Sequence, residues 1–301
     1  MRLRHIEVFH AIMQAGTISG AAKMLHISQP AVTKVLQHAE LQLGMPLFER
    51  VRGKLIPRPE AHRLYAESEK LYLDLQSIRR LAISLKSTTQ ETIRLVSTPT
   101  LAISVLPAAM TNWRNAFPHT RCELATHHTR EIVTMLRLGE ADLALSLQDP
   151  RHPGIEAQPL AQGVMTAIAP QGTWSAKECQ QPLGALGLSG DLIGYADSDP
   201  LGALVLASCE AHDVHPTFRT VVQTYQIARS LVEAGTGMSV VDPFTAASAI
   251  SAKVQQRPWA PAIPVQLFLL TASNAPLSHG ATELARHIGV SARACLDGSA
   301  A

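Results

Sequence analysis

At 301 residues, with 46% hydrophobic and 17% charged residues, the chain is long enough for two or three domains and too apolar to be a disordered polymer. The formal net charge of +2 is unevenly spread: residues 1–60 carry eight Lys or Arg (2, 4, 23, 34, 50, 52, 54, 58) against four acids (7, 40, 49, 60), a net +4, leaving −2 for the rest. The scattered Cys122, Cys179, Cys209 and Cys295 exclude a zinc or disulfide framework and read as reduced thiols, while the absence of a signal-like or membrane-length apolar run points to a cytoplasmic protein without a membrane partner.

From Arg4 to Ala15 the apolar residues Ile6, Phe9 and Met13, flanked by Val8 and Ile12, form one buried helical stripe. Gly16 suits a left-handed stop, and Thr17 or Ser19 can cap a short second helix, Gly20 to Leu25, whose Ala21 and Ala22 permit close approach. Ser28 is an N-cap candidate for a third helix, Gln29 to about Leu43, with Pro30 in its first turn. Val32, Val35, Leu36 and Ala39 then face inward, leaving Gln29, Thr33, Lys34 and Gln37 outward. Short polar side chains near a helix N-terminus, with a cation beside them, are suited to reading base edges in a major groove. Beyond Gly44, the segment Leu47 to Leu55 reads as a hairpin wing whose Arg50, Arg52 and Lys54 can contact phosphates of double-stranded DNA.

The run Arg4-His5-Ile6-Glu7-Val8-Phe9-His10-Ala11, then Gly16-Thr17, Ala21-Ala22, Ile27-Ser28-Gln29-Pro30-Ala31-Val32-Thr33, Leu43-Gly44 and Leu47-Phe48-Glu49-Arg50 resembles the head of LysR-type transcriptional regulators. The resemblance implies DNA contact by Ser28, Gln29, Pro30, Thr33 and Lys34, and a wing role for Arg50. Two departures stand out: Gly20 weakens the second helix, and Arg58, between Pro57 and Pro59, offers an extra phosphate contact.

Between Glu60 and Lys86 there is no proline or glycine, and Leu64, Leu71, Leu75, Ile78, Ala82 and Leu85 form a heptad seam. Such a long linker helix dimerises as a coiled coil or buries its stripe within its own domain. Dimerisation would set two recognition helices roughly 34 Å apart on an approximately palindromic operator. The expected organisation is a winged helix-turn-helix at 1–59, a linker helix and hinge at 60–90, and an effector domain at 91–301.

Past the polar Ser87-Thr88-Thr89-Gln90, strands are expected at Thr92–Val96, Cys122–Ala125, Leu143–Leu147, Leu192–Tyr195, Thr220–Val222, Met238–Val241 and Val265–Leu270, alternating with helices as in α/β lobes. Leu136 to Leu145 and Leu231 to Val240 echo each other as helix, glycine stop and strand. The resemblance implies a two-lobed α/β domain similar to periplasmic binding proteins, with lobe one at 91–161 and 266–301 and lobe two at 162–265, and a homotetramer built as a dimer of dimers. Ligands in such folds sit outside strand ends, against helix N-termini. Candidate effector residues are therefore Ser97, Thr98 and Thr100 after the first strand, and Asp197, Ser198, Asp199, Gly202, Gln223, Thr224 and Asp242 in lobe two; each acid can equally cap a helix. The Val241-Asp242-Pro243-Phe244 run and the head resemble, within the family, regulators of lysine biosynthesis and opine catabolism, which points to an amino acid or a related amine-bearing carboxylate as effector.

No nucleophile elbow, phosphate loop or zinc-protease motif is present, so no enzyme activity or cofactor is expected. His127-His128, read as facing opposite sides of a strand, and His212-x-x-His215 read as solvated histidines rather than metal ligands. The rival reading is a small-molecule-binding protein or enzyme with an accessory head; a regulator without effector, and contact with RNA polymerase, stay open.

Overall fold

A computed structural model describes residues 1–51, 54–68, 72, 75, 92–197, 199–250, 252–273 and 275–298. The chain divides into two compact units, Met1–Thr88 and Thr89–Ala301.

In the first unit, α1 (Leu3–Ala15), α2 (Ile18–Met24) and α3 (Gln29–Leu43) precede an antiparallel hairpin, β1 (Phe48–Val51) and β2 (Lys54–Pro57), and a helix α4 over residues 59–68. Local chemistry sets these bounds. Gly16 and Gly44 end α1 and α3 with φ of 66° and 70°, a conformation that costs glycine little. The Thr17 hydroxyl accepts from Gly20 N at 3.0 Å, so α2 begins two residues earlier than the sequence suggested. Val8, Phe9, Ile12, Ala21, Val32 and Leu36 share one core with Leu47 and Ala61. The Glu40 carboxylate reaches from α3 to accept from Leu47 N (2.7 Å) and Phe48 N (3.2 Å), fixing where the hairpin starts. Gly20 is a requirement of this core rather than a weakness: a Cβ there would lie 2.8 Å from Ala15 Cβ and 2.9 Å from Thr17 Oγ1.

The start of the linker helix belongs to this head. Leu64 and Tyr65 pack against its core, and Ser68 Oγ joins His10 Nε2 (2.8 Å) to Leu64 O (2.6 Å). The first seam position is thus spent inside its own unit. Leu75 is helical, and Leu71, Ile78, Ala82 and Leu85 lie outside the described residues.

The second unit has two halves. One is a five-stranded sheet, ordered β4-β3-β5-β13-β6, made of β3 (Thr92–Ser97), β4 (Arg121–Thr126), β5 (Leu143–Ser146), β6 (Ile155–Val164) and β13 (Pro264–Ala272). Its first three strands are parallel, and β13 runs antiparallel to both β5 and β6. The other half contains β7 (Thr166–Pro170), β8 (Leu183–Gly184), β11 (Ser239–Val241) and β12 (Val254–Ala260), ordered β11-β7-β12-β8, and a parallel pair of β9 (Leu192–Tyr195) and β10 (Phe218–Val222). A bridge between Leu192 and Met238 links the pair to β11. All seven strands expected here are present, within two residues at each end. Strands β6, β7, β8 and β12 were not expected. Pro159 and a register shift opposite Leu267/Phe268 break the alternation of β6.

Helices connect the strands as the echoed segments require: α7 (Thr129–Leu138) stops at Gly139 with φ 62°, and α10 (Tyr225–Glu233) at Gly235 with φ 81°. Further helices are α5 (Pro99–Ser104), α6 (Leu106–Ala116), α8 (Ala176–Cys179), α9 (Pro200–Glu210), α11 (Pro243–Ala247) and α12 (His279–Asp297).

Candidate DNA-reading surface and effector cleft

The outer side of α3 carries a polar, largely exposed face along its first three turns. The Ser28 hydroxyl accepts from Ala31 N (3.4 Å), Pro30 sits in the first turn, and Ser28, Gln29, Pro30, Lys34 and Gln37 are exposed, with Thr33 half-buried. Val32, Leu36 and Ala39 hold the opposite side in the core, so rotation of α3 is fixed by burial while its reading side stays open. Arg50 and Lys54 occupy β1 and β2, opposite Leu55 and Val51; their side chains, and Arg52 altogether, lie outside the described residues. Arg58 is half-buried where the chain leaves β2, its amide donating to Leu47 O at 2.9 Å.

In the second unit, a cleft of about 80 Å³ lies between the two sheets' strand ends. Thr98, Thr100, His128, Thr129, Gln148, Asp199, Gln223, Thr224 and Tyr225 line it, with Leu147, Leu201 and Pro99. Four helices begin at it: Thr98 precedes α5, His128 precedes α7, Asp199 caps α9 and Thr224 caps α10. Helix starts carry partial positive charge and free amides, which favour an anionic ligand group. Among the described residues no Lys or Arg lines the cleft, so anion recognition there rests on amides and hydroxyls.

The candidate residues separate into three groups. Thr98, Thr100, Asp199, Gln223 and Thr224 do meet in the cleft. The Thr98 hydroxyl makes no cap for α5 and is buried without a hydrogen-bond partner among the described residues. Asp199 Oδ2 accepts from Gly202 N (2.7 Å) and Tyr225 OH (2.5 Å); burial, then the charge of Asp199, raises the Tyr225 phenol well above its ordinary range.

Asp197 and Gly202 instead line a separate cavity against α9. Successive helix residues project about 100° apart, so Leu201 reaches the cleft while Gly202 faces the other side. Ser97 and Asp242 line neither space. Ser97, the last residue of β3, is fully buried and its hydroxyl donates to Thr98 O (2.9 Å). Asp242 is the buried N-cap of α11, accepting from Phe244 N (2.9 Å), Thr245 N (3.0 Å) and the Thr245 hydroxyl (2.5 Å), and Thr245 Oγ1 meets Thr100 Oγ1 (3.2 Å). Its carboxylate is fully occupied with capping and with the α5–α11 contact. Ser198 lies outside the described residues.

His128, Thr129, Gln148 and Tyr225 were missed. The histidines follow β4 rather than sitting in a strand: His127 faces Glu131 (3.3 Å), and His128 N donates to the Glu131 carboxylate (3.2 Å). The His128-Thr129-Arg130-Glu131 run carries a helix-start signal of its own. Thr129 Oγ1 meets Ser146 Oγ (3.0 Å), which also accepts from Gln148 N (3.0 Å), tying the ends of β4 and β5 together at the cleft.

Residues 3–62 match the family described as bacterial regulatory helix-turn-helix protein, lysR family, and residues 86–291 match the LysR substrate binding domain. The HTH-type transcriptional regulator DgcR of Pseudoalteromonas sp is 38% identical over 93% of this chain and 96% of its own. The transcriptional activator protein LysR of Escherichia coli (strain K12) is 29% identical over 92% of this chain and 89% of its own. Among solved structures, a full-length OxyR variant from Pseudomonas aeruginosa superposes with a TM-score of 0.64 at 22% identity, covering 96% of this chain and 94% of that one.

Proposed function

Since the chain belongs to the LysR family of transcription regulators, we propose that α3 reads operator DNA with Gln29, Thr33 and Gln37, and that a small amino acid or related amine-bearing carboxylate, bound in the cleft between the lobes, tunes that reading. The protein is a LysR-type regulator with a helix-turn-helix head and an effector-binding domain, and regulators of this family bind DNA and small-molecule effectors and form oligomers. In our reading Ser28 and Pro30 position the helix start, and Lys34, Arg50, Arg52, Lys54 and Arg58 supply phosphate contacts without sequence information. The working form is a tetramer made as a dimer of dimers in the cytoplasm, and its DNA-bound form contacts RNA polymerase.

The observation that carries the effector class is the orphaned Thr98 hydroxyl at a cleft where α5, α7, α9 and α10 begin. A carboxylate there gains a donor at Thr98 and free helix amides, and Asp199 on the facing side offers an ammonium its counter-charge. The cleft of about 80 Å³ holds about three waters' worth of space, which suits a compact, polar metabolite. Ligand closing the cleft changes how the lobes present themselves to an oligomer and thereby biases the DNA-bound arrangement.

Isothermal titration against a panel of amino acids and organic acids tests the effector class. Heat with amino acids or their derivatives, reduced in Thr98→Val, supports it; heat confined to aromatic or sugar ligands refutes it. A mobility shift on DNA from the protein's own promoter region, with Gln29→Ala beside wild type, tests the reading helix independently.

A further inference from the structure

The cavity that takes Asp197 and Gly202 away from the cleft is a site in its own right. It lies against α9 and β9: α9 gives Val205 and Cys209 to its lining, β9 gives Ile193, and Phe218 and Met238 line it as well. Its volume is about 150 Å³, the size at which an apolar cavity stays dry and accepts a single benzene ring, about 150 Å³. The sequence holds this space open. A Cβ on Gly194 would fall 2.5 Å from the Phe218 ring, so glycine lets that ring lie close against β9. A Cβ on Gly202 would fall 2.7 Å from Asp199 Oδ2, so glycine also keeps the first turn of α9 clear beside the mouth.

The mouth has one sign of charge. Asp197 and Asp199 line it, and among the described residues no Lys, Arg or His does. Asp199 Oδ2 is engaged by Gly202 N and Tyr225 OH, and among the described residues nothing donates to its Oδ1. An apolar chamber with carboxylates at its entrance admits a cation with a hydrophobic body and rejects an anion by like-charge repulsion. The cavity is partitioned from the cleft by Asp199 and by the Tyr195–Tyr225 ring pair, whose centroids are 4.4 Å apart.

We propose that this cavity is a second small-molecule site, for a primary amine whose single ring or short branched alkyl body fills the space against α9 while its ammonium rests between Asp197 and Asp199. It differs from the cleft in needing no carboxylate on its ligand. Isothermal titration of the full-length protein with 2-phenylethylamine, 2-phenylethanol and phenylacetate tests it directly. The amine binds, the alcohol binds about 10-fold more weakly for want of a charged hydrogen bond, and the acid gives no heat. Ala203→Phe, at an exposed position on the rim, abolishes amine binding, and Asp197→Asn, also exposed, weakens it about 10-fold. Circular dichroism and thermal melts confirm that each variant is folded, and Asp197→Asn carries the test alone if Ala203→Phe is not. No heat with the amine at millimolar concentration, equal binding of amine and acid, or amine binding untouched by both variants overturns the proposal.

Discussion

Replacing Asp242 by Asn changes one charge and little else, and its effect on stability is set by pH. The side chain is fully buried, and burial pushes its carboxyl up from the ordinary 3.8 to about 6, against opposing hydrogen bonds from Thr245, Phe244 and Thr100. An acid whose folded-state value is raised keeps its proton longer in the folded chain, so its contribution to stability is present at low pH and is lost as pH rises through about 6. At about 1.36 kcal/mol per pH unit the ionised side chain costs about 3 kcal/mol at neutral pH, of which about 2 kcal/mol accrues between roughly pH 4.5 and 7.5. Asn keeps an oxygen for the Phe244 and Thr245 amides and cannot ionise. Urea denaturation of wild type and Asp242→Asn across that range should therefore show the variant gaining about 2 kcal/mol on wild type as pH rises. A difference that stays flat with pH, or falls, refutes the argument that burial dominates at this site.

Thr98→Val keeps shape while removing an unpaired buried hydroxyl, so the ligand-free protein should melt at the same temperature or higher, while effector affinity falls about 10-fold; a large drop in stability with affinity intact sinks the assignment. In mobility shifts, Gln29→Ala should lose about 10-fold or more in preference for the operator, and Lys34→Ala should weaken all sequences and reduce the slope against log salt by about 0.9. The opposite pattern would exchange their roles. Gly20→Ala should destabilise the head by about 1–3 kcal/mol through overpacking against Ala15 and Thr17, whereas helix propensity alone forecasts a gain of about 1 kcal/mol; thermal melts decide between them.

The head was legible residue by residue because its signals are local. Ser28 and Thr17 cap the helices they precede, Gly16 and Gly44 stop theirs, and a period of three to four residues marks the buried sides. The second unit was legible where a strand is an unbroken apolar run, as in Leu143–Ser146, whose every residue is buried. It was opaque where pairing is long-range: β6 is mostly exposed or half-buried, contains Pro159, and owes its existence to nine partners on β13. Site residues followed the same division. That strand ends and helix starts gather at a cleft was readable, and it placed Thr98, Gln223 and Thr224. Which side of a first turn faces that cleft was not, because Leu201 and Gly202 differ by one rotation of the helix that only packing fixes. Asp242 misled for a related reason: an acid before Pro243 is a cap in sequence, and nothing local shows that its carboxylate will be sealed beneath Thr245.

The chain leaves the five-stranded sheet after Val164 and rejoins it at Pro264, and across that break Met165 N donates to Ile263 O at 2.9 Å. As a line of sequence, then, about a third of the protein is an insertion whose two ends touch, the arrangement in which segments are most readily exchanged or lost. As a solid it is nothing of the kind, because Ile93 and Leu95 of one half share a single apolar cluster with Met165, Trp259 and Phe244 of the other. The segment is contiguous in sequence but not independent in packing: removing it would expose the apolar surface that Ile93 and Leu95 share with it.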